Sequence, residues 1–190
     1  MSGVHSSQGR LARLGFAVQV LGRPERKSHD PRRYRDLSAV ARRRLVVEND
    51  DGRFGVNDTL WIHRETGVRL VFDLHHRYYH NPAGVDAEEA ARACMVTWNG
   101  WDARTKIHFS SPCTDWGYRH GGKGGPRNHD WKAHAEFVDP FAFPAFYRLL
   151  TDVAPDVMLE AKAKDVTLQQ LRPDLVAYAP EVADPFGLEP

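Results

Sequence analysis

The stretch that decides the fold is Arg44-Leu-Val-Val-Glu-Asn-Asp-Asp51, in which three apolar residues lead directly into a carboxylate and a polar turn. Short apolar runs of this kind are typical of buried parallel strands, which present functional groups at their carboxyl ends. The same pattern returns three times, at residues 69–76, 105–110 and 156–162. The sequence therefore predicts several parallel strands that end in polar groups.

Helical patterns alternate with these runs between residues 44 and 171, as in βα units with right-handed crossovers. Functional groups at the strand ends favour a TIM-like barrel over a doubly wound sheet, and no glycine-rich nucleotide-binding motif is present in the sequence. With a further strand at residues 14–21, we count about five strands, whereas a closed barrel has eight. The predicted fold class is α/β, an incomplete TIM-barrel-like array of parallel βα repeats.

The predicted organisation has three parts: a disordered N-terminus at residues 1–12, a partial barrel domain at 13–172 and an irregular acidic tail at 173–190. Helices are predicted at residues 59–66 after an N-cap at Asp58, from Asp86 to about residue 98, from Pro140 onwards and at residues 165–171, with a loop at residues 77–82.

The chain has 190 residues, of which 42% are hydrophobic, and it contains two isolated cysteines. Such cysteine usage indicates neither a disulfide framework nor a zinc motif. No apolar run approaches the roughly 20 residues that span a membrane, and no secretory signal is recognisable, so we expect no membrane partner and a cytoplasmic location. The first 53 residues hold 12 of the 26 lysines and arginines, which suits either a polyanionic partner or a solvated basic surface.

Carboxylates at two strand ends are the first candidate site residues. A buried Glu48 requires a cation or hydrogen-bond donors, and a structural ion pair with an arginine is the alternative. Asp73, followed by His75 and His76, would place a carboxylate and an imidazole on the same rim. The alternative there is an aspartate that caps a helix beside surface histidines.

The remaining two strand ends carry Lys106, His108 and Glu160. Lys106 and His108 are two residues apart, so both point to the same face of a strand. Glu160 follows Val157, Met158 and Leu159, a run that predicts burial. Together the four strand ends predict one composite site.

The ligand types in this site are glutamate, aspartate and histidine without cysteine, which suits Mn²⁺ or Zn²⁺, with Mg²⁺ less suited to imidazole. Clustered divalent ions serve phosphodiester hydrolysis. A sugar isomerase would use a similar set of ligands, so the ligand types alone leave both functions open.

A long loop at residues 112–134 favours nucleic acid as the substrate. It combines a glycine-rich segment with cations and aromatic side chains, which suit a distorted nucleic-acid backbone or an unstacked base. The candidate DNA-binding residues are Trp116, Tyr118, Arg119, Lys123 and Arg127. A low-complexity insert is the alternative for the glycine-rich part.

Five motifs in order resemble the UV damage endonuclease family: Val-Val-Glu-Asn-Asp-Asp from Val46, Leu-Val-Phe-Asp-Leu-His-His from Leu70, Lys-Ile-His-Phe-Ser-Ser from Lys106, His-Ala-Glu-Phe-Val from His134 and Asp-Val-Met-Leu-Glu-Ala-Lys-Ala-Lys from Asp156. The resemblance covers roughly residues 44–171. It implies a TIM barrel that nicks double-stranded DNA 5′ to UV photoproducts with a cluster of divalent metal ions, typically manganese.

Carried over position by position, the resemblance implies that Glu48 is a bridging metal ligand. The further implied ligands are Asp73, His76, His108, His134 and Glu160, with His129 as the alternative to His134. Lys106 falls where the family has a lysine that can be carboxylated, and the implied catalytic residues are Glu48, Lys106 and Glu160.

The chain departs from the family between its first predicted strand and Glu48, where several βα units are missing. The resemblance is therefore to a member with an internal deletion, and we expect at least one metal position to lack ligands. Exposed strand edges would call for a partner chain, such as a homo-oligomer. The alternatives to a UV damage endonuclease are a non-catalytic remnant of the family and a metal-dependent sugar isomerase or epimerase.

Overall fold

A four-stranded parallel sheet forms the centre of the protein. The computed structural model describes residues 31–114 and 131–188. In this part of the chain the strands lie in the order β1 (Val46–Glu48), β2 (Arg69–Asp73), β3 (Lys106–Phe109) and β4 (Asp156–Leu159), and all three neighbouring pairs are parallel. The prediction of an incomplete parallel α/β barrel is confirmed. The predicted strand at residues 14–21 lies outside the described residues.

Helices connect the strands and cover one face of the sheet. They are α1 (Pro31–Arg35) and α2 (Ala39–Arg44) before β1, α3 (Val56–Thr66) between β1 and β2, α4 (Leu74–Tyr79) and α5 (Ala87–Val96) between β2 and β3, α6 (Ala142–Tyr147) before β4, and α7 (Asp165–Tyr178) and α8 (Pro180–Ala183) after it. Short 3-10 helices follow α6 at Arg148–Leu150 and α8 at Asp184–Phe186. None of these described helices is long and apolar enough to cross a membrane.

The outer face of the sheet holds the main core. Side chains alternate between the two faces of a strand, so Leu70 and Phe72 of β2 point to the same face as Ile107 and Phe109 of β3. All four are at most 2% exposed and pack against the helices. Burying an apolar side chain of this size contributes about 2 kcal/mol, so this layer fixes the sheet against its helices.

The inner face of the sheet carries the polar strand ends. Asp73 lies opposite His108, and His108 lies opposite Met158, so these three side chains share the inner face. Glu48 lies opposite Val71, which places its carboxylate on the same face. The four functional strand ends therefore meet on the inside of the partial barrel.

The loop after α5 covers the inner face of the sheet at β1 and β2. Trp98 packs on Val46 and Val71, and its indole N–H donates to the carbonyl of Leu70 at 2.6 Å. The guanidinium of Arg69 lies over the Trp98 and Trp101 rings, at 4.8 and 4.1 Å from their centroids. Two indoles and a stacked arginine thus cover the inner face of the sheet at β1 and β2.

The structure corrects two predicted helix starts and one predicted loop. Residues 77–79 belong to α4 rather than to a loop, because Asp73 Oδ1 accepts a hydrogen bond from the His76 N–H at 2.8 Å and caps this helix. Helix α3 begins at Val56, and Asp58 is not its N-cap but accepts from the Gly55 N–H at 2.9 Å. Helix α6 begins at Ala142 rather than at Pro140.

The predicted irregular tail from residue 173 is wrong over the described residues. Helix α7 continues through Pro173 to Tyr178, and α8 follows directly. Leu171 and Leu175 lie one turn apart and are each 3% exposed, so burial of this stripe holds the helix across the proline. The run before Glu160 was predicted to be buried; Val157 and Leu159 are half-buried and pack against the core, whereas Met158 is 36% exposed on β4.

Candidate metal centre

Four side chains from four strand ends converge at the carboxyl edge of the sheet. Each of Glu48, Asp73, His108 and Glu160 offers one ligand atom, and these atoms all lie within 4.8 Å of one another. Parallel pairing brings the ends of all four strands to one edge, and the shared inner face points the side chains at a common centre. The residues of this group can hold a metal ion.

The distances within the group fit a shared cation better than direct hydrogen bonds. His108 Nδ1 lies 3.3 Å from Glu48 Oε1, 3.2 Å from Glu160 Oε1 and 3.9 Å from Asp73 Oδ2. Despite these short distances, Glu48 Oε1, Asp73 Oδ2 and His108 Nδ1 are buried without a properly oriented hydrogen-bond partner among the described residues. Each unpaired buried polar group costs about 1–3 kcal/mol, a cost that one coordinated cation would remove for all three atoms.

The carboxylates of the group differ in their proton affinity. Burial raises the pKa of Glu48, but contacts with His108 and His76 outweigh it and lower the pKa to about 2. Burial raises the pKa of Asp73, which is completely buried, and the nearby Glu48 carboxylate adds to the rise. Glu160 also has a raised pKa because of burial. Mutual repulsion among three clustered carboxylates is relieved by positive charge, either protons on the histidines or a cation.

His76 sits at the edge of the group on helix α4. Its Nδ1 lies 2.8 Å from the Asn49 carbonyl and 3.0 Å from Glu48 Oε1. Burial lowers the pKa of His76, but Glu48 and Asp73 outweigh it and raise the pKa to about 9. When Nδ1 carries the proton and donates it to Asn49, Nε2 keeps its lone pair and is available as a ligand.

Asn49 is a site residue that the sequence analysis missed. Its side chain is 1% exposed and forms two hydrogen bonds to the backbone of Asp73: the amide N–H₂ donates to the Asp73 carbonyl, and the amide oxygen accepts from the Asp73 N–H, both at 2.9 Å. Asn49 thereby fixes Asp73 relative to Glu48. The signal for Asn49 in the sequence was an amide side chain directly after a carboxylate, Glu48, at a predicted strand end.

His134 lies beside the group, on the returning end of the long loop. Pro112 and His134 form an isolated antiparallel bridge, and the His134 ring packs edge-on against His75 at 4.9 Å and beside His76 at 6.4 Å. Burial, followed by the neighbouring histidines, lowers the pKa of His134, which favours the neutral form that binds metal ions. The alternative ligand His129 lies outside the described residues.

His75 has a supporting position rather than a place in the group. Its ring is fully buried, and Nε2 lies 3.0 Å from the Lys132 carbonyl, so it holds the end of the long loop against α4. Lys132 in turn donates from Nζ to the Asp51 carbonyl at 2.6 Å, on the turn that follows β1. These contacts fix the segment that carries His134.

Lys106 lies apart from the clustered carboxylates. Its Nζ donates to Asp156 Oδ2 at 3.0 Å, and within the described residues Asp156 is its ion-pair partner. The five candidate DNA-binding residues lie outside the described residues: Trp116, Tyr118, Arg119, Lys123 and Arg127.

Comparison with known proteins finds one consistent group of relatives. The sequence model of the family described as UV-endonuclease UvdE matches residues 20–188. A UV DNA damage endonuclease of Bacillus velezensis is 30% identical over 145 residues, which make up 75% of this chain and 41% of the relative. Its counterpart in Halalkalibacterium halodurans is 31% identical over 138 residues, 70% of this chain and 38% of the relative.

A solved structure shares the fold as well. The crystal structure of SacUVDE superposes with a TM-score of 0.59 at 28% identity, and the match covers 77% of this chain and 44% of that chain. The chain thus spans less than half the length of the relatives it matches. The match to the family over residues 20–188 shows that this chain belongs to the UV-endonuclease UvdE family.

Proposed function

We propose that the protein is a metal-dependent DNA endonuclease that hydrolyses the phosphodiester bond 5′ to UV photoproducts, as part of DNA repair. The observation that carries the proposal is the convergence of Glu48, Asp73, His108 and Glu160 with buried polar atoms that lack partners among the described residues. Relatives named UV DNA damage endonuclease support the choice of substrate.

The proposed cofactor is Mn²⁺, with Zn²⁺ or Mg²⁺ as substitutes. Three carboxylates and one imidazole form a mainly oxygen ligand set that suits Mn²⁺, while histidine disfavours Mg²⁺. When bound, such an ion activates water and neutralises charge on the phosphodiester oxygens. We assign Glu48, Asp73, His108 and Glu160 as ligands, with His76 and His134 completing the set.

The proposed ligands differ in their protonation before metal binding and in their exposure to solvent. Glu48, with its pKa of about 2, is ionised at neutral pH and binds a cation without first losing a proton. His76 must release its proton, because its pKa in the metal-free chain is about 9. Glu160 has the most exposed side chain of the four clustered ligands, 23%, so it faces the arriving substrate. Lys106 Nζ donates to Asp156 Oδ2 rather than to a clustered ligand, so the proposed metal site rests on the four clustered ligands.

The proposed substrate is double-stranded DNA that carries UV lesions. Aromatic side chains next to the centre suit stacking against unpaired bases. Tyr78 is 63% exposed on α4, and Trp131 is 43% exposed at the end of the long loop. The hydroxyl of Tyr79 donates to the Trp131 carbonyl and so connects the two elements. We place the remaining DNA contacts on Trp116, Tyr118, Arg119, Lys123 and Arg127.

A plasmid-nicking assay tests the proposal. Supercoiled plasmid, irradiated with UV or left unirradiated, is incubated with the full chain and Mn²⁺, and with EDTA in a parallel reaction. Glu48→Gln removes the central ligand, whereas Glu65→Gln changes an exposed glutamate on α3 and serves as the matched control. Circular dichroism establishes that each variant is folded.

We expect nicking of irradiated plasmid by the wild type and by Glu65→Gln, and loss of at least a hundredfold in rate for Glu48→Gln, on the scale of removing a group that stabilises developing charge. Mapping the nick on a synthetic duplex with one lesion should place it on the 5′ side. A folded wild-type chain that binds Mn²⁺ but nicks neither plasmid would refute the enzyme proposal and leave a non-catalytic remnant. Equal nicking by Glu48→Gln would assign the activity to another protein.

A further inference from the structure

Residues 161–164 form a turn that joins the end of β4 to helix α7. The turn begins directly after Glu160, one of the four clustered ligands. The N–H of Lys162 donates to the Ala135 carbonyl at 3.0 Å, next to His134. The turn is therefore held between two proposed ligands and lies at the rim of the metal centre.

Two exposed lysines, Lys162 and Lys164, are the cations of this turn. The other described lysines, Lys106 and Lys132, form ion pairs with aspartates. By contrast, neither lysine of the turn forms an ion pair or a side-chain hydrogen bond with a described residue. Two ammonium groups beside the metal centre thus have no role in holding the fold together.

The charge of Lys162 acts on the metal centre itself. Burial and the neighbouring histidines are the main causes of the lowered pKa of His134, and the Lys162 ammonium adds to the fall. Two exposed acids lie close to the turn: Glu136, whose carbonyl accepts from the Ala163 N–H at 3.0 Å, and Asp165, which follows the turn. Neither acid forms an ion pair with a lysine of the turn in the described part of the chain, so both ammonium groups are available to a ligand.

Lys164 has a backbone conformation that lysine rarely adopts, with φ 53° and ψ −122°. Glycine adopts positive φ values without a steric penalty, whereas a side chain at this position costs conformational free energy. No contact of the lysine side chain with the described residues offsets that cost. Because strained residues are concentrated at functional sites, this conformation indicates that the side chain serves a ligand rather than the fold.

We propose that Lys162 and Lys164 each bind a phosphate of the DNA strand that lies across the metal centre. This assignment rests on the proposed function, because it takes DNA as the substrate. A lysine ammonium is a compact charge with three donors on a flexible stem, so it can bind a phosphate whose position shifts in distorted DNA. The metal centre contains three carboxylates, and cations at its rim attract the polyanionic strand towards it. Both lysines are positioning residues that hold the strand.

Fluorescence anisotropy tests the proposal with the full chain and a labelled duplex that contains one pyrimidine dimer, in EDTA so that the duplex is not cleaved. Lys162→Gln and Lys164→Gln each remove one charge. Each phosphate contact changes log K by about 0.9 per tenfold change in salt, so each variant should bind about eightfold more weakly at about 0.1 M salt. The slope of log K against log salt should also fall by about one in each variant.

Two further variants separate loss of charge from other effects. Lys162→Arg keeps the charge and should keep the wild-type salt slope. Arg172→Gln removes an exposed charge two turns further along α7, and this matched control should bind as the wild type does. In the nicking assay with Mn²⁺, the two lysine-to-glutamine variants should raise KM and leave kcat unchanged, as expected for groups that only hold the strand.

Lys164→Gly gives a signature that a structural role would not produce. It relieves the strained conformation, so it should raise the midpoint of urea unfolding while it weakens DNA binding as much as Lys164→Gln does. A lower midpoint would show that the lysine side chain stabilises the turn and would overturn its assignment. Circular dichroism establishes that every variant is folded.

The outcomes distinguish this proposal from the nuclease proposal. A wild type that binds the duplex with a lysine-dependent salt slope but does not nick DNA would refute the nuclease and keep the two phosphate contacts. A wild type that nicks irradiated DNA, with glutamine variants that bind and nick equally well, would overturn the phosphate contacts and keep the nuclease. A folded wild type that does not bind the duplex would also overturn them.

Discussion

Removal of metal should make the stability of the protein depend strongly on the protonation of His76. The imidazole Nδ1 lies 3.0 Å from Glu48 Oε1 and 3.9 Å from Asp73 Oδ2. Burial opposes protonation, but these carboxylates raise the pKa of His76 from 6.5 to about 9. Each tenfold change in proton affinity corresponds to about 1.4 kcal/mol, so the protonated histidine stabilises the metal-free fold by about 3 kcal/mol.

The sign of the pH dependence follows from the raised pKa. The folded chain holds the proton more tightly than the unfolded chain, so the stabilisation is complete below pH 6.5 and is lost as the pH rises through 9. His108, whose pKa is also raised despite its burial, acts in the same direction. The free energy of unfolding of the metal-free protein should therefore fall by at least about 3 kcal/mol across this range.

Urea unfolding in EDTA at a series of pH values measures this fall, and an NMR titration of the His76 ring measures the pKa directly. Glu48→Gln removes the carboxylate that lies 3.0 Å from His76 Nδ1 and should lower the His76 pKa and flatten the stability profile, while Glu65→Gln should leave both unchanged. A wild-type His76 that titrates near 6.5, or a profile equally steep in Glu48→Gln, would show that the carboxylates do not hold this proton.

Three further predictions concern the scaffold. Asn49→Ala should lower the free energy of unfolding by about 3 kcal/mol, because it leaves the N–H and C=O of Asp73 unpaired, and should weaken Mn²⁺ binding measured by calorimetry. Leu70→Ala should cost about 3 kcal/mol in urea unfolding, because a fully buried side chain is replaced by a cavity. Burial raises the pKa of Cys94 to about 12, so a thiol reagent at pH 8 should label Cys113 in the native protein and reach Cys94 only after unfolding.

The sequence predicted the strands well because their signal is local. A short apolar run followed by Glu48 or Asp73 predicts both that the strand is buried and that its carboxyl end is polar. Parallel pairing then brings such ends to one edge, so the composite site could be predicted without knowledge of the side-chain positions. Another local signal, a capping aspartate, predicted the start of α5, where the Asp86 side chain accepts from the N–H groups of Glu88 and Glu89.

Other features depended on contacts between distant residues. Residues 77–79 were predicted to be a loop because a helix-capping role of Asp73 was considered only as an alternative to its role at the strand end, whereas Asp73 has both roles. Pro173 predicted the end of α7, since proline removes a hydrogen bond in a helix, but burial of Leu171 and Leu175 outweighs that loss. The exposure of Met158 depends on which strand lies beside β4, which a local pattern does not contain.

The two hydrogen bonds between Asn49 and Asp73 have a consequence for the order in which a cation is captured. The amide side chain takes the place of one more residue of β1 and extends the ladder with β2 beyond Glu48. Glu48 and Asp73 are thus brought into position when β1 and β2 pair, before any ion arrives. His108 is placed beside them by its register with Asp73. Glu160 follows β4, which lies at the edge of the described sheet, and its side chain is the most exposed of the four. An entering ion should therefore bind Glu48, Asp73 and His108 first, because these side chains are already held in place, and Glu160 last. Substitutions at Glu160 should then act mainly on the rate of ion release.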